Sequence, residues 1–436
     1  NTFEWLGWGG MAASATFFAQ GPSFPLQPLS RLAMDHLAEL DTGIPATVVG
    51  LPWWNLAVIW VIALLAFLVA ALALRRSGHL RLMGVALAWT FLAALPSIVV
   101  LPFPYVSVSQ RLLYSSGPAA AMLWGATCAS AGGQVRSPFL RNVLIAGLAI
   151  VVALVPVLYV RREVQLHELA LQPLDELAAI ARRDSESRHL VLNPTNWVNY
   201  KQPWYALGQE GVSVSAEYVD LDRLIRLNSG VETRITAATF SEIKAEPERY
   251  YYSTIGEDTP WDHGAMAARA GRYDQVWLTA YDEEEIAVIS LGRVMPGQES
   301  APDRYMARFA DRIFLLVADL ELEAGSATAI LEWRYLDELP ATVFRHILDC
   351  EGEMLGQGDG FALGGTLPFQ EMAPGTEILD VRQIPLDHPA SEDCYTLRVG
   401  LYLPDGSRVE ARAEDGQRLA DDAATAWFSF DTSGGR

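Results

Sequence analysis

The sequence predicts a multidomain membrane protein. About four transmembrane α-helices come first, then a small α/β module, then a C-terminal antiparallel β-sandwich. Three observations predict it. Mean hydropathy is positive, +0.16, although the formal net charge is −20. The charge is split: residues 1–162 hold nine Arg, no Lys and four acids, net +5, while the remainder holds 23 basic and 48 acidic residues, net −25. The last third alternates apolar and polar residues between Gly, Pro and Asp turns, the period of half-buried strands. A greasy Arg-only front and an acidic back do not make a single soluble globule. The composition also excludes a collagen-like chain, a disordered chain and a disulfide-dense mini-protein. The basic part is too apolar, and the rest too acidic, for a nucleic-acid binder.

Residues 1–52 are expected as an extracytoplasmic segment. Within it SRLAMDHLAEL, residues 30–40, places Leu32, His36, Leu37 and Leu40 near one helical face, as an interfacial helix does. His36 reads there as a tolerated interfacial residue rather than a ligand. Residues 53–162 are expected as a four-helix transmembrane region. A bilayer core of ~30 Å needs about 20 mostly apolar helical residues, and stretches at about 53–74, 82–101, 112–131 and 143–160 supply them. Arg75, Arg76, Arg81, Arg136 and Arg141 lie in the loops after the first and third stretches, and Arg111 lies in the second loop. Although Arg161 and Arg162 oppose it, that bias puts the cytoplasm at the first and third loops. The expected localisation is a multipass cell-membrane protein with residues 163–436 on the extracytoplasmic side.

Between the second and third stretches runs LPFPYVSVSQRLLYSSGPAAAMLWG, in which Pro102 and Pro104 break the helix. Gln110, Arg111 and Tyr114 follow at the expected outer interface. An Arg beside a helix N-terminus can seat a phosphate; Arg and Tyr also serve as plain interfacial anchors. This stretch resembles the E-R-Y-L-Y-L-P-S segment of multipass GT-C glycosyltransferases of the protein O-mannosyltransferase type. Arg111, Leu113 and Tyr114 match; Gln110, Leu112 and Ser116 depart from it. The resemblance implies a polyprenyl-phosphate sugar as donor, with Gln110, Arg111 and Tyr114 near its phosphate. The family's catalytic Asp has no counterpart here. Because the sequence opens at Asn1 and its first Met is Met11, the expectation is that an upstream segment carries the base.

Residues 163–305 are expected as an extracytoplasmic α/β module. Leu166, Leu169, Leu174, Leu177 and Ile180 mark a helix over 164–183. Strands are expected at 189–194, 212–221, 233–240 and 275–281, with a helix at 264–272. Asn193, Asn196, Trp197, Tyr200 and Trp204 follow the first strand end, where α/β proteins hold ligands. They read either as contacts for a glycan acceptor or as aromatic cover. Asp282 to Glu285 reads as a solvated acidic loop, since it lacks the spaced ligands and Gly turn of a calcium site.

Residues 306–436 are expected as the sandwich, with strands at 312–320, 327–335, 342–349, 378–384, 395–403 and 426–430. Trp333, Val343, Phe344, His346, Leu348, Asp349, Gly352, Gln357, Asp359, Tyr395, Leu397, Val399, Gly400, Leu401 and Tyr402 resemble a C-terminal module common in bacterial membrane glycosyltransferase-like proteins. That resemblance implies a carbohydrate-binding-like sandwich. His346 reads as a strand residue. Cys350 ends one expected strand and Cys394 begins another, so antiparallel neighbours would set them side by side for a disulfide. No catalytic residue and no metal site is expected in this chain, and no cofactor beyond the lipid-linked donor. The expected partners are the bilayer, a lipid-linked sugar and a glycan or protein acceptor. The functional expectation is the C-terminal part of a membrane glycosyltransferase. The alternative is a non-catalytic membrane-anchored surface protein whose outer domains bind glycan or a protein.

Overall fold

A computed structural model describes residues 80–100, 135–201, 211–214 and 220–429, with gaps at 246, 257–258, 324 and 388–393, and scattered positions between 68 and 133. Two long helices come first, α1 (Leu80–Val100) and α2 (Pro138–Arg183). Among the described residues, no helix is long and apolar enough to cross a membrane. This corrects the expected fold class, the expected four transmembrane helices and the multipass-membrane localisation. The apolar run at 143–160 is one part of α2, which continues through Arg161, Arg162 and Glu163 without a break. Its 46 residues extend about 69 Å at 1.5 Å per residue, more than twice a bilayer core. An apolar run shows that a segment is covered, not which medium covers it. The sidedness of 163–436 rested on Arg counts around those runs and falls with them. The runs at 53–74 and 112–131 lie largely outside the described residues.

The chain divides into two compact units, one of residues 1–168, 198–212 and 249–251, the other of 169–197, 213–248 and 252–436. In the first unit, the Arg162 guanidinium stacks 4.1 Å from the centre of the Tyr200 ring, and Tyr200 Oη donates to the Arg162 carbonyl at 3.4 Å.

The second unit is mostly sheet. The next elements along the chain are β1 (His189–Leu192), β2 (Thr195–Tyr200), β3 (Gly211–Ser213), α3 (Leu221–Ser229), β4 (Ile235–Ala238), β5 (Tyr250–Thr254) and α4 (His263–Arg269), with the residues of β2, β3 and β5 divided between the two units. Then come β6 (Gln275–Tyr281), β7 (Ile286–Pro296), β8 (Ala307–Phe309), β9 (Ile313–Glu323), β10 (Ser326–Tyr335) and β11 (Thr342–Leu348). The last are β12 (Met354–Gln357), β13 (Thr376–Pro385), β14 (Cys394–Tyr402), β15 (Ala411–Arg412) and β16 (Ala423–Ser429). One nine-stranded sheet has the order β15-β8-β9-β10-β13-β7-β6-β1-β4. Only β1 pairs in parallel, with β4 and β6; the other pairings are antiparallel. A four-stranded sheet has the order β12-β11-β14-β16, and a three-stranded one the order β3-β2-β5. The strand expected over 212–221 stops early, since Leu221 opens α3. That helix buries Leu221 and Ile225 and ends at Gly230, whose φ of 75° favours a residue without Cβ.

The C-terminal part of α2 packs on one face of the large sheet. Leu174, Leu177, Ile180 and Ala181 meet Val191, Leu221, Ile225 and Ile235 there. Gln172 and Glu176 accept hydrogen bonds from the Ile286 and Val288 amides, at 3.2 and 2.6 Å. The first half of β7 has β6 on one side only, so these side chains cover backbone groups that would otherwise form an open edge.

The main core lies between the large sheet and the four-stranded one. Leu331 and Trp333 of β10 share it with Val343 and Ile347 of β11 and Leu397, Val399 and Leu401 of β14. β10 alternates half-buried and buried along its whole length, the period-2 signature of one face on a core. One polar pair interrupts this apolar layer. Asp380 of β13 is fully buried opposite Leu331, and Arg345 of β11 reaches it from the facing sheet, also fully buried. Arg345 Nη1 also donates to the Gly358 carbonyl at 2.9 Å, and Asp380 Oδ1 accepts from the Gly364 amide at 3.1 Å.

Replacing Asp380 by Ala would leave Arg345 buried without a counter-charge. The expected loss is about 3–5 kcal/mol in urea unfolding, with most of it returned when both residues become apolar in Arg345→Met/Asp380→Leu. A loss below about 1 kcal/mol for the single variant would show that the pair is not a buried charge contact.

Candidate functional site

The four-stranded sheet has an inner face on the core and an outer face. The register defines two cross-strand rows on the outer face. His346 pairs with Gln357 on β12 and Arg398 on β14, and Arg398 pairs with Thr425 on β16. Leu348 pairs with Met354 and Thr396, and Thr396 pairs with Trp427. Residues directly opposite one another share a face, so Gln357, His346, Arg398 and Thr425 form a polar line. It runs beside a second line that ends in Trp427.

Trp427 is 72% exposed, which is unusual for the largest apolar side chain. It stands on β16, at the sheet edge. The polar groups beside it are held by further contacts. Arg398 Nη1 lies 3.3 Å from Asp421 Oδ2, and His346 Nε2 lies 3.6 Å from Asp359 Oδ1. His346 and Tyr402 both pack on Phe344, at 5.0 and 4.7 Å between ring centres, and the Arg408 guanidinium lies 5.1 Å from that ring. Burial, outweighing the attraction of Asp359, holds the His346 pKa below its usual 6.5. The face therefore offers an exposed indole beside a row of polar side chains, of which His346 and Arg398 are held by Asp359 and Asp421.

The residues singled out in sequence are placed as follows. Gln110, Arg111, Tyr114 and Trp204 lie outside the described residues. Asn193 ends β1 with φ 54° and is buried. Its Oδ1 accepts from the Phe240 amide at 2.7 Å, and its Nδ2 donates to the Ile243 carbonyl at 3.2 Å. The amide thus ties the β1 end to the segment after β4. Asn196 and Trp197, half-buried on β2, belong to the second unit, and Tyr200 belongs to the first. The acidic run at 282–285 forms the β6–β7 turn, closed by the Asp282 amide donating to the Glu285 carbonyl at 2.9 Å. No group of acidic, His or Cys side chains among the described residues could hold a metal ion.

β11 and β14 are antiparallel neighbours, with Leu348 opposite Thr396. Carried on by two residues, the same register puts position 350 opposite 394, and Cys350 is disulfide-bonded. Of the residues that resemble the sandwich module, Trp333, Val343, Tyr395, Leu397, Val399 and Leu401 are core. Gln357 and His346 are on the outer face. Trp427, Arg398 and Thr425 were not singled out in sequence. The 426–430 strand pattern contained the tryptophan, but only the pairing of β16 with β14 shows what stands beside it.

No protein family and no characterised protein matches this chain in sequence. The glycosyltransferase-type resemblances at 101–125 and in the sandwich segment therefore gain no support from sequence comparison.

Two outcomes are expected. Peptide mapping without reductant should find a peptide pair linked through positions 350 and 394; free thiols at both would overturn the pairing. For His346, the folded pKa lies below the unfolded one. The stability contributed by the neutral ring is thus present above about 6.5 and is lost as pH falls toward the folded value. In urea unfolding, the wild type should lose more stability than His346→Gln between about pH 7.5 and 5, and equal losses would contradict this origin.

Proposed function

We propose that the second unit is a glycan-binding module, and that the outer face of the four-stranded sheet is where the sugar lies. The observation that carries this reading is Trp427, with its exposed indole beside the Gln357–His346–Arg398–Thr425 row. A pyranose presents an apolar C–H face and a rim of hydroxyls. The indole takes the first through apolar contact. The amide, imidazole, guanidinium and hydroxyl take the second as donors and acceptors in fixed positions. The strand scaffold fixes these side chains, so little ordering is needed on binding. The resemblance of this segment to a carbohydrate-binding-like sandwich points the same way. In a chain that works beside a polyprenyl-phosphate sugar donor, as the resemblance at 101–125 implies, this face would hold the acceptor.

Affinity gel electrophoresis of the full chain against mannan, xylan, β-glucan and chitosan tests the reading. Retardation by at least one polysaccharide is expected. Trp427→Ala should weaken it about tenfold or more, since an aromatic platform dominates such contacts. The variant's urea midpoint should stay unchanged, because the side chain is exposed. No retardation in any gel, or equal retardation of the variant, would overturn the proposal.

A further inference from the structure

A cavity of about 570 Å³ opens elsewhere in the second unit. It is within the size range of ordinary small-molecule sites, roughly 300–1,000 Å³. Ile243, Leu278, Ile289, Phe361 and Val381 give it apolar walls. None of the outer-face residues lines it.

One cation stands in this apolar wall, Arg382 of β13. Its guanidinium lies against a turn that also lines the cavity. Nη1 donates to the Gly364 carbonyl at 2.5 Å. A Cβ on Gly365 would stand 3.1 Å from Nη1, and one on Gly360 would stand 3.9 Å from Nη2. Glycines at these positions let the guanidinium share the cavity surface with bare backbone. The turn has left-handed backbone: Gly364 and Gly365 have φ of 65° and 96°, which glycine adopts freely, and Leu363 has φ of 52°, a sparsely populated conformation for a residue with a side chain. Asp380 holds the turn by accepting the Gly364 amide.

Arg382 makes no ion pair with a carboxylate among the described residues. Asp380 is taken by Arg345 and the Gly364 amide. Asp359 accepts from the Arg345 amide and faces His346. Burial and the nearby Arg345 cation lower the Arg382 pKa, while Asp380 and Asp359 offset this from a distance. A half-buried guanidinium without a paired anion gains from an oxyanion brought beside it.

We infer that this cavity binds a small amphiphile, with an apolar chain or ring between Leu278, Ile289 and Phe361 and a carboxylate or phosphate head on Arg382. Nothing in this inference depends on the glycan-binding face. The two sites share no side chain.

Octanoate, octyl phosphate and octanol are the probes, read by calorimetric titration of the full chain. Octanoate or octyl phosphate should bind at least tenfold more tightly than octanol, and whichever binds better identifies the head group. Arg382→Met should erase the preference for the anion, and Arg382→Lys should retain it. Ile289→Trp, which fills the cavity, should abolish binding of all three, and Trp427→Ala should change none. Equal binding of the anions and octanol, no binding at millimolar concentration, or an anion preference surviving in Arg382→Met would overturn the inference. If Arg382→Met does not fold, the wild-type preference and the Ile289→Trp loss decide it.

Discussion

The fold of the second unit turns on one ion pair placed where an apolar layer would otherwise continue. A carboxylate on the core side of β13 is unfavourable unless an opposite charge and hydrogen-bond donors meet it. Arg345 meets Asp380 from the opposing sheet, and the Gly364 amide meets it from the turn. The pair thus fixes the two sheets in register with each other and fixes the turn between β12 and β13. Apolar side chains alone could slide or repack, because the hydrophobic effect has no direction. The same carboxylate bonds the turn that carries Gly364 and Gly365, so the shape of the cavity follows from a residue that does not line it.

The two sites rest on different uses of strand alternation. Along β11, Val343, Arg345 and Ile347 face the core between the sheets, and Phe344, His346 and Leu348 lie on the opposite side, where Phe344 and Leu348 are themselves buried and only His346 is partly exposed. The outer face is built by sheet rather than loop, and its polar groups are one cross-strand row rather than neighbours in sequence. The cavity instead forms where regular pairing gives way to the turn between β12 and β13, whose glycines leave room beside Arg382. A flat aromatic surface suits an extended polar ligand, and a walled apolar space suits a compact one.

The acidic balance of the chain separates the two further. With residues 163–436 at net −25, an anion approaches most of this surface against repulsion. A half-buried Arg382 is thus a selective place for one. A neutral glycan meets no such barrier at the outer face.

The sequence by itself determined most of the strands. A continuous apolar run marked β1, which is buried throughout, and strand patterns between turns marked β4, β6, β9, β10, β11, β13, β14 and β16; where one face is buried, as along β10, that burial imposes a period of two whatever the topology. It determined that 350 and 394 could meet, since each stands at the end of a strand expected to be antiparallel. It did not determine what covers an apolar run, and 143–160 proved to be part of a 46-residue helix. Strands without clean alternation, such as β2, β5 and β7, were not legible either. Nor were the sites. Asn193 was legible as a strand-end residue, but only the tertiary contacts show its amide consumed by the Phe240 and Ile243 backbone. Trp427, Arg398, His346 and Gln357 are spread over residues 346–427, and Arg382 is remote from Leu278 and Ile289. Spacing along a chain constrains only what one helix or strand can align. Cross-strand register and the facing of two sheets decide the rest.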